Sequence, residues 1–449
     1  MKSRFYRVPF LQVVVLTAVF ATSILDSRAD LLKAGPMAGY SKMRETAIWL
    51  QTNEPSQVKI QYWPKDSPSK KSETSTKQTT IDEANTATLI AGNLDPGTLY
   101  EYRVFVDGKP VAADYALEFQ TPPFYRDRFP PPDFKVALGG GHYANDKAYD
   151  PLNRIPGGDY SIFLAIAAKN PDMMIWLGNN IFLREPDWDS DSGVLSRYSK
   201  NREQPELQPL LGSVHHLATW STHDFGAEGA DRLSQSGQHA RHAFDLFWAN
   251  PPHDVAGING ITAKASWSDV DFFILDDRTN RDLTSRVSSK RQILGEEQIK
   301  WLVESLRRSN ATFKVVVNGS PILNPADSPE NLQIAEDERD ELLEALKDAD
   351  IPGLFFVAGG KSHGELTKLV RANAPDVYEL TLGPLTGRPA SDTRELNYFR
   401  VPGNSVFQRH FSILEFHGPE DDRQMRVSVY DVNGTEIWTD NFHASSMQF

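Results

Sequence analysis

Short polar segments of this chain each follow an apolar run, the place where an α/β sheet collects its ligands. They are LGGGHY (138–143), WLGNNIF (176–182), WSTHD (220–224), DDR (276–278) and GGKSHGE (359–365). His142, His223, Asp224, His363 and Glu365 offer the imidazoles and carboxylates that ligate metals or carry protons near neutral pH. Asn180 adds an amide beside them. The set reads either as ligands or an acid–base cluster at the strand ends, or as groups hydrogen-bonded within the loops. Arg278 and Lys361 can bind an anion; for Arg278 the alternative is a salt bridge to the neighbouring Asp276 and Asp277.

Several tempting patterns lead nowhere. GGKS ends as a phosphate loop ends, but that loop needs glycine where this chain has Phe355. LGGGHY lacks GxGxxG spacing and reads as a tight turn. His215 and His216 open a strand, on which neighbours face opposite ways, so they do not share a metal. His239 and His242 can share a helix face, where solvation or helix packing is the expected role. The chain has no cysteine, which excludes thiolate chemistry, Cys-ligated metal and disulfides.

The elements that must hold these loops are legible as patterns. ETAIWLQ, QVKIQYW and LYEYRVFV alternate at the two-residue period of half-buried strands. Between the last two, KDSPSKKSETSTKQTT reads as an exposed loop. LDPGTLYEY has the form of a tyrosine corner, in which the Tyr100 hydroxyl bonds back to the main chain. Trp49, Tyr62 and Trp63 fall on these strands, where core packing is the expected role and a partner-binding surface the alternative. A proline-rich stretch, TPPFYRDRFPPPD, then marks a boundary. Beyond it FKVALGG, DMMIWLG, HLATW, DFFILDD, FKVVVNG, GLFFVAGG and VYELTLG alternate with helical patterns such as Ile299, Leu302, Val303 and Leu306, which predicts an α/β domain. RVSVYDV and EIWTDNF, joined through Asn433-Gly434, predict a closing hairpin.

At the N-terminus Lys2, Arg4 and Arg7 precede VVVLTAVF, and Ser27-Arg28-Ala29 supplies a cleavage site, the form of a secretory signal. Removing residues 1–29 takes away Lys2, Arg4, Arg7 and Arg28 with Asp26, so the formal charge of -13 becomes -16. So acidic a protein repels nucleic acid and anionic membranes.

The segments GGDYSIFLAIAAKNPDMMIWLGNNIFLREPDW, LQPLLGSVHHLATWSTHDFG, WSDVDFFILDDR, ILGEEQIKWLVESLRRSNATFKVVVNG and GLFFVAGGKSHGELTKL together resemble the alkaline phosphatase D (PhoD-like) family. The resemblance implies an exported protein with a metallophosphoesterase-like α/β sandwich domain preceded by a fibronectin type III-like β-sandwich. The expected organisation is a signal peptide over 1–29, the β-sandwich over 30–121, a linker over 122–133 and the phosphatase-type domain over 134–449. Family members hold iron and calcium through a Cys, a GDxxY motif, a WDDH motif and a GDRH motif. Matched position by position, the Cys is Gly141, GDxxY has become GNNIF with Asn179 and Phe182, WDDH reads WSTH with Ser221 and Thr222, and GDRH reads GGKS with Gly360 and Ser362. Each lost carboxylate removes an attraction of several kcal/mol for a cation, so no metal cofactor is expected. The resemblance and these losses together predict a non-catalytic homologue that binds a phosphate ester, another small anion or a surface polymer, outside the cytoplasm and with no stable membrane span. The rival expectation is an active phosphomonoesterase or phosphodiesterase with a rebuilt metal site.

Overall fold

The computed structural model describes residues 31–151, 156–253, 255, 257–283, 290–372, 374–392 and 395–447. The expected signal segment lies outside the described residues.

Strands Phe134–Gly139, Met173–Leu177 and His215–Thr219 run parallel, side by side. His410–His417, Gln424–Asp431 and Glu436–His443 extend this sheet antiparallel on the Phe134–Gly139 side. A second sheet takes the order Ala263–Trp267, Val270–Ile274, Phe313–Asn318, Leu354–Ala358, Val377–Thr381, Glu365–Leu369, with parallel strands in the middle and an antiparallel strand at each edge. Met173–Leu177 and Leu354–Ala358 are buried at every residue. A strand covered on both faces has no polar side to show, which is why these segments read as unbroken apolar runs.

The two sheets meet over Leu138, Ile175, Leu217, Phe272, Val315, Phe355 and Leu414. Helices Ser161–Ala167, Asp191–Arg202 and Ser236–Phe247 cover the outer face of the first sheet through Phe163, Leu195 and Phe244. Glu296–Arg308 and Glu336–Asp348 cover the second through Ile299, Leu302 and Leu342. In the former helix Glu296 and Glu297 open the first turn and Arg307 and Arg308 close the last, each sign placed to suit the helix dipole. In the closing hairpin Gly434 takes a φ of 77° in the turn, which a side chain would resist.

Residues 32–120 form two facing layers around Ile48, Ile60, Tyr62, Leu89, Tyr100, Val104 and Phe119. The Tyr100 hydroxyl accepts a bond of 2.8 Å from the Asp95 N–H. Trp49 and Tyr62 are core residues, and Trp63 donates its indole N–H to Glu101. The segment read as a plain loop contains two short strands, Ser72–Glu73 and Lys77–Gln78, both paired with Gln57–Pro64. All four residues are exposed, so hydrophobic alternation has nothing to mark.

One layer of this N-terminal unit is not separate from the α/β domain. Leu32–Lys42 runs parallel to His215–Thr219 with Ala38 opposite His215, and Glu45–Thr52 and Thr86–Gly92 follow, completing a nine-stranded sheet. His215 fastens the join: its Nε2 accepts from the Gln120 N–H at 3.1 Å, and Nδ1 lies 2.8 Å from the Gly39 carbonyl. An accepting Nε2 puts the proton on Nδ1, which donates. Replacing His215 with Leu leaves a buried N–H and C=O unpaired and is expected to cost about 1–3 kcal/mol. Urea unfolding checks this; an unchanged midpoint would show that the imidazole contributes nothing to the join.

Candidate functional site

The candidate residues lie where the parallel strands end. After Met173–Leu177 the chain turns sharply, with Gly178 and Asn179 at φ of 87° and 49°. Asn179 Oδ1 then accepts from the His223 N–H at 2.9 Å. Asp224 sits beneath this turn and takes the N–H groups of Asn180, Ile181 and Ser221 at 2.8, 3.1 and 2.8 Å. Burial pushes its carboxyl up to about 7, against the pull of those bonds. Asn180 donates to the Thr219 carbonyl at 2.7 Å. His142 lies 2.9 Å from Thr386 Oγ1 and edge-on to Phe163, and burial pulls it down to about 3. His142, Asn180 and Asp224 therefore knit loop to loop.

Positions where the family pattern puts metal ligands have closed. Gly141 has a φ of 71°, and a Cβ there would lie 3.0 Å from Pro384 Cα. Gly360 has a φ of 76°, and a Cβ there would lie 2.6 Å from the Gly319 carbonyl oxygen. The Phe182 ring stacks on His223 with centroids 4.5 Å apart and lies 4.9 Å from Tyr143. His223 is drawn down to about 4, chiefly by burial. Thr222 Oγ1 donates to Glu330 at 2.7 Å. Ser362 is exposed.

Arg278 is fully buried at the centre of these loops. Its Nη2 lies 2.5 Å from Glu330 Oε2, 3.3 Å from Ser320 Oγ, 3.4 Å from Ser221 Oγ and 3.5 Å from Asp277 Oδ2. Burial alone would lower its pKa, but Asp277 and Glu330 hold it above the ordinary value. Glu330 is likewise opposed by burial, yet Arg278 and the Thr222 hydroxyl bring it to about 2. Asp276 is not a partner of the guanidinium. Its carboxylate accepts from Trp220 Nε1 at 2.8 Å and from the Ile261 and Arg278 backbone N–H groups at 2.9 Å.

The GGKSHGE segment (359–365) leads into the edge strand of the second sheet, Glu365–Leu369. Lys361 Nζ lies 2.5 Å from Glu395 Oε1 and 3.1 Å from Ser328 Oγ. His363 Nε2 is 3.5 Å from Glu365 Oε2, which Arg400 also pairs. Burial would raise Glu365, but His363, Arg400 and Asn397 carry it to about 2. His239 and His242 both face Asp191, at 2.7 and 3.4 Å. The structure thus brings Ser221, Thr222 and Arg278 together, places His142, Asn180 and Asp224 beneath them, and gives Lys361, His363 and Glu365 local partners. Glu330 and Ser320, absent from the sequence reading, complete the central cluster. Glu330 comes from an irregular segment 52 residues from Arg278, with no motif to announce it.

An iron and calcium centre does not fit these residues. Gly141 and Gly360 have no donor and no room for one, and Phe182 presents hydrocarbon. A dication held beside Ser221 would have a guanidinium as its neighbour, and the nearby carboxylates of Asp277 and Glu330 are already engaged with that guanidinium. Among the described residues no group of three or more His, Asp or Glu side chains could hold a metal ion.

Two sheets face to face between helical layers, with loops converging at the strand ends, define the class: a metallophosphatase fold. The structure of PhoD superposes with a TM-score of 0.73 at 14% identity, covering 94% of this chain and 92% of that one. A purple acid phosphatase from yellow lupin (Lupinus luteus) seeds gives 0.65 at 12% identity, covering 91% and 73%. A PhoD-like phosphatase family model matches residues 147–417, and the chain belongs to that family. Residues 29–124 match DUF7800, a domain of unknown function. No curated protein matches the sequence.

The buried histidines make a pH prediction. His142 and His216 are held at about 3, and His223 and His410 at about 4, all by burial. Below the ordinary value of 6.5 the unfolded chain takes up protons that the folded chain refuses, so stability falls with pH. Asp172, Asp224, Asp277, Glu338 and Glu379, pushed up by burial, act in the opposite sense, but they are fewer than the histidines, since His215 and His253 are drawn down as well. Glu330 and Glu365, at about 2, add further loss below pH 4.5. The urea midpoint is expected to drop between about pH 6 and pH 4, where the unfolded histidines are protonated and the folded ones are not; a flat or rising profile there would contradict the assignment of neutral histidines.

Proposed function

We propose that this chain is an exported, non-hydrolysing member of the PhoD-like phosphatase family that keeps the fold as a binding scaffold. Its ligand is a phosphate ester or another small anion, with a surface polymer as the alternative partner, and it uses no metal cofactor. One observation carries the reading: a buried guanidinium, Arg278, bonds Ser221 and Glu330 at the strand ends where the family pattern calls for carboxylates. Binuclear phosphoryl transfer needs two cations fixed by anionic ligands to activate water and neutralise the phosphate oxygens. A fixed internal cation can neutralise an oxyanion but offers no coordination site for water. The basic residues ahead of VVVLTAVF, with Ser27-Arg28-Ala29 after it, support export.

The test is turnover of phenyl phosphate and bis(p-nitrophenyl) phosphate by the mature protein, with iron, calcium, zinc or manganese supplied. No hydrolysis above buffer is expected in any metal. The triple variant N179D/S221D/G360D is expected to stay inactive, because position 360 combines a φ of 76° with a carbonyl oxygen 2.6 Å from any Cβ. Turnover by the unmodified chain that chelation abolishes would establish the rival, a hydrolase with a rebuilt site.

A further inference from the structure

We propose that the Glu330 carboxylate sits in the oxyanion seat of a binding site whose donors are Arg278 and Thr222, and that the phosphoryl group of a phosphate monoester takes this seat when Glu330 swings out. The proposal rests on reading the strand ends as a binding rather than a hydrolytic site. Glu330 behaves as a ligand would: Oε2 receives Arg278 Nη2 at 2.5 Å and Thr222 Oγ1 at 2.7 Å. It is also the partner on the solvent side. A fifth of its side chain is exposed, while the side chains of Arg278 and Asp277 have no exposure at all. An anion arriving from solvent therefore meets the position Glu330 holds. The segment that carries Glu330, between Asn318 and Leu332, has no helix or strand, so side-chain rotation need not break regular structure.

The donors around the seat exceed what one carboxylate can satisfy. Arg278 Nε and Nη1 and Arg281 Nε and Nη1 are buried and have no hydrogen-bond acceptor, although Nε of Arg278 lies 3.4 Å from Asp277 Oδ1. Buried N–H groups are ordinarily paired. A phosphoryl group brings three terminal oxygens where the carboxylate brings two. Charge points the same way: Asp277 and Glu330 offset Arg278 and Arg281, and withdrawing Glu330 leaves the pocket one positive charge in excess, suited to a phosphate anion. Protonation does not release Glu330 at ordinary pH, since it stays ionised down to about 2. An external anion must compete with it. A site occupied by its own side chain shows a lower apparent affinity by the fraction of time it is free.

The experiment is calorimetric titration of the full mature chain with inorganic phosphate and with phenyl phosphate, comparing wild type, Glu330→Ala and Glu330→Asp. Glu330→Ala is expected to bind both ligands at least about tenfold more tightly than wild type, the smallest gain a self-occupied seat should give. Glu330→Asp, which keeps an acid nearby, is expected to gain less. Adding Thr222→Val to Glu330→Ala is expected to remove most of the gain. Should Glu330→Ala fail to melt cooperatively, Glu330→Gln carries the same comparison with the side chain's shape preserved. A variant that folds yet binds phosphate no more tightly than wild type would overturn the proposal, as would a gain untouched by Thr222→Val. Release of phenol by wild type would instead sink the non-hydrolytic reading, so the two failures are told apart.

Discussion

The Arg278 guanidinium is a cation that cannot leave. A charge this deeply buried is tolerated only when it is surrounded by groups that replace its water, and here those groups come from separate pieces of chain. Ser221 follows the strand ending at Thr219, Asp277 the strand ending at Ile274, Ser320 the strand ending at Asn318, and Glu330 a segment with no regular structure. All four lie within 3.5 Å of one guanidinium nitrogen, Nη2. A bound metal draws strand-end loops together in the same way, but a metal can be lost or exchanged. In this chain the positive charge is covalently attached.

The loops around Arg278 are closely packed. Gly360 folds against the Gly319 carbonyl and Gly141 against Pro384. Phe182 covers His223 instead of offering an oxygen. The polar side chains that remain are absorbed into structure: Asp224 collects backbone N–H groups, His142 is neutral against Thr386, and Glu365 is clasped by Arg400 and Asn397. Such groups look like chemistry in a sequence because residue type does not reveal how many partners a side chain already has.

The central strands were legible because burial on both faces forbids polar interruption, and the strand-end segments followed from them. Other features had no local signal. Leu32–Lys42 carries no apolar–polar alternation and is not among the predicted strands, and the merging of the N-terminal layer into a nine-stranded sheet depends on a pairing 177 residues away in sequence, Ala38 with His215. The strands Ser72–Glu73 and Lys77–Gln78 face solvent and carry no pattern. Asp276 and Asp277 are adjacent and identical in type, yet opposite orientation makes one a backbone acceptor and the other a counterion of Arg278. Glu330, the nearest partner of that arginine at 2.5 Å, sits in SPEN with nothing to single it out. Departures from the family's motifs are visible in the sequence; the packing of Phe182 on His223 and of Glu330 on Arg278 is not.

The decisive measurement is anomalous diffraction from crystals of the mature protein soaked in manganese and then in calcium. No anomalous peak is expected within ligand distance of Asn179, Ser221 or Gly360, and clear density is expected for the Arg278 guanidinium against Glu330. A peak at the strand ends, with Arg278 turned aside, would mean that the cation of this site is still a metal.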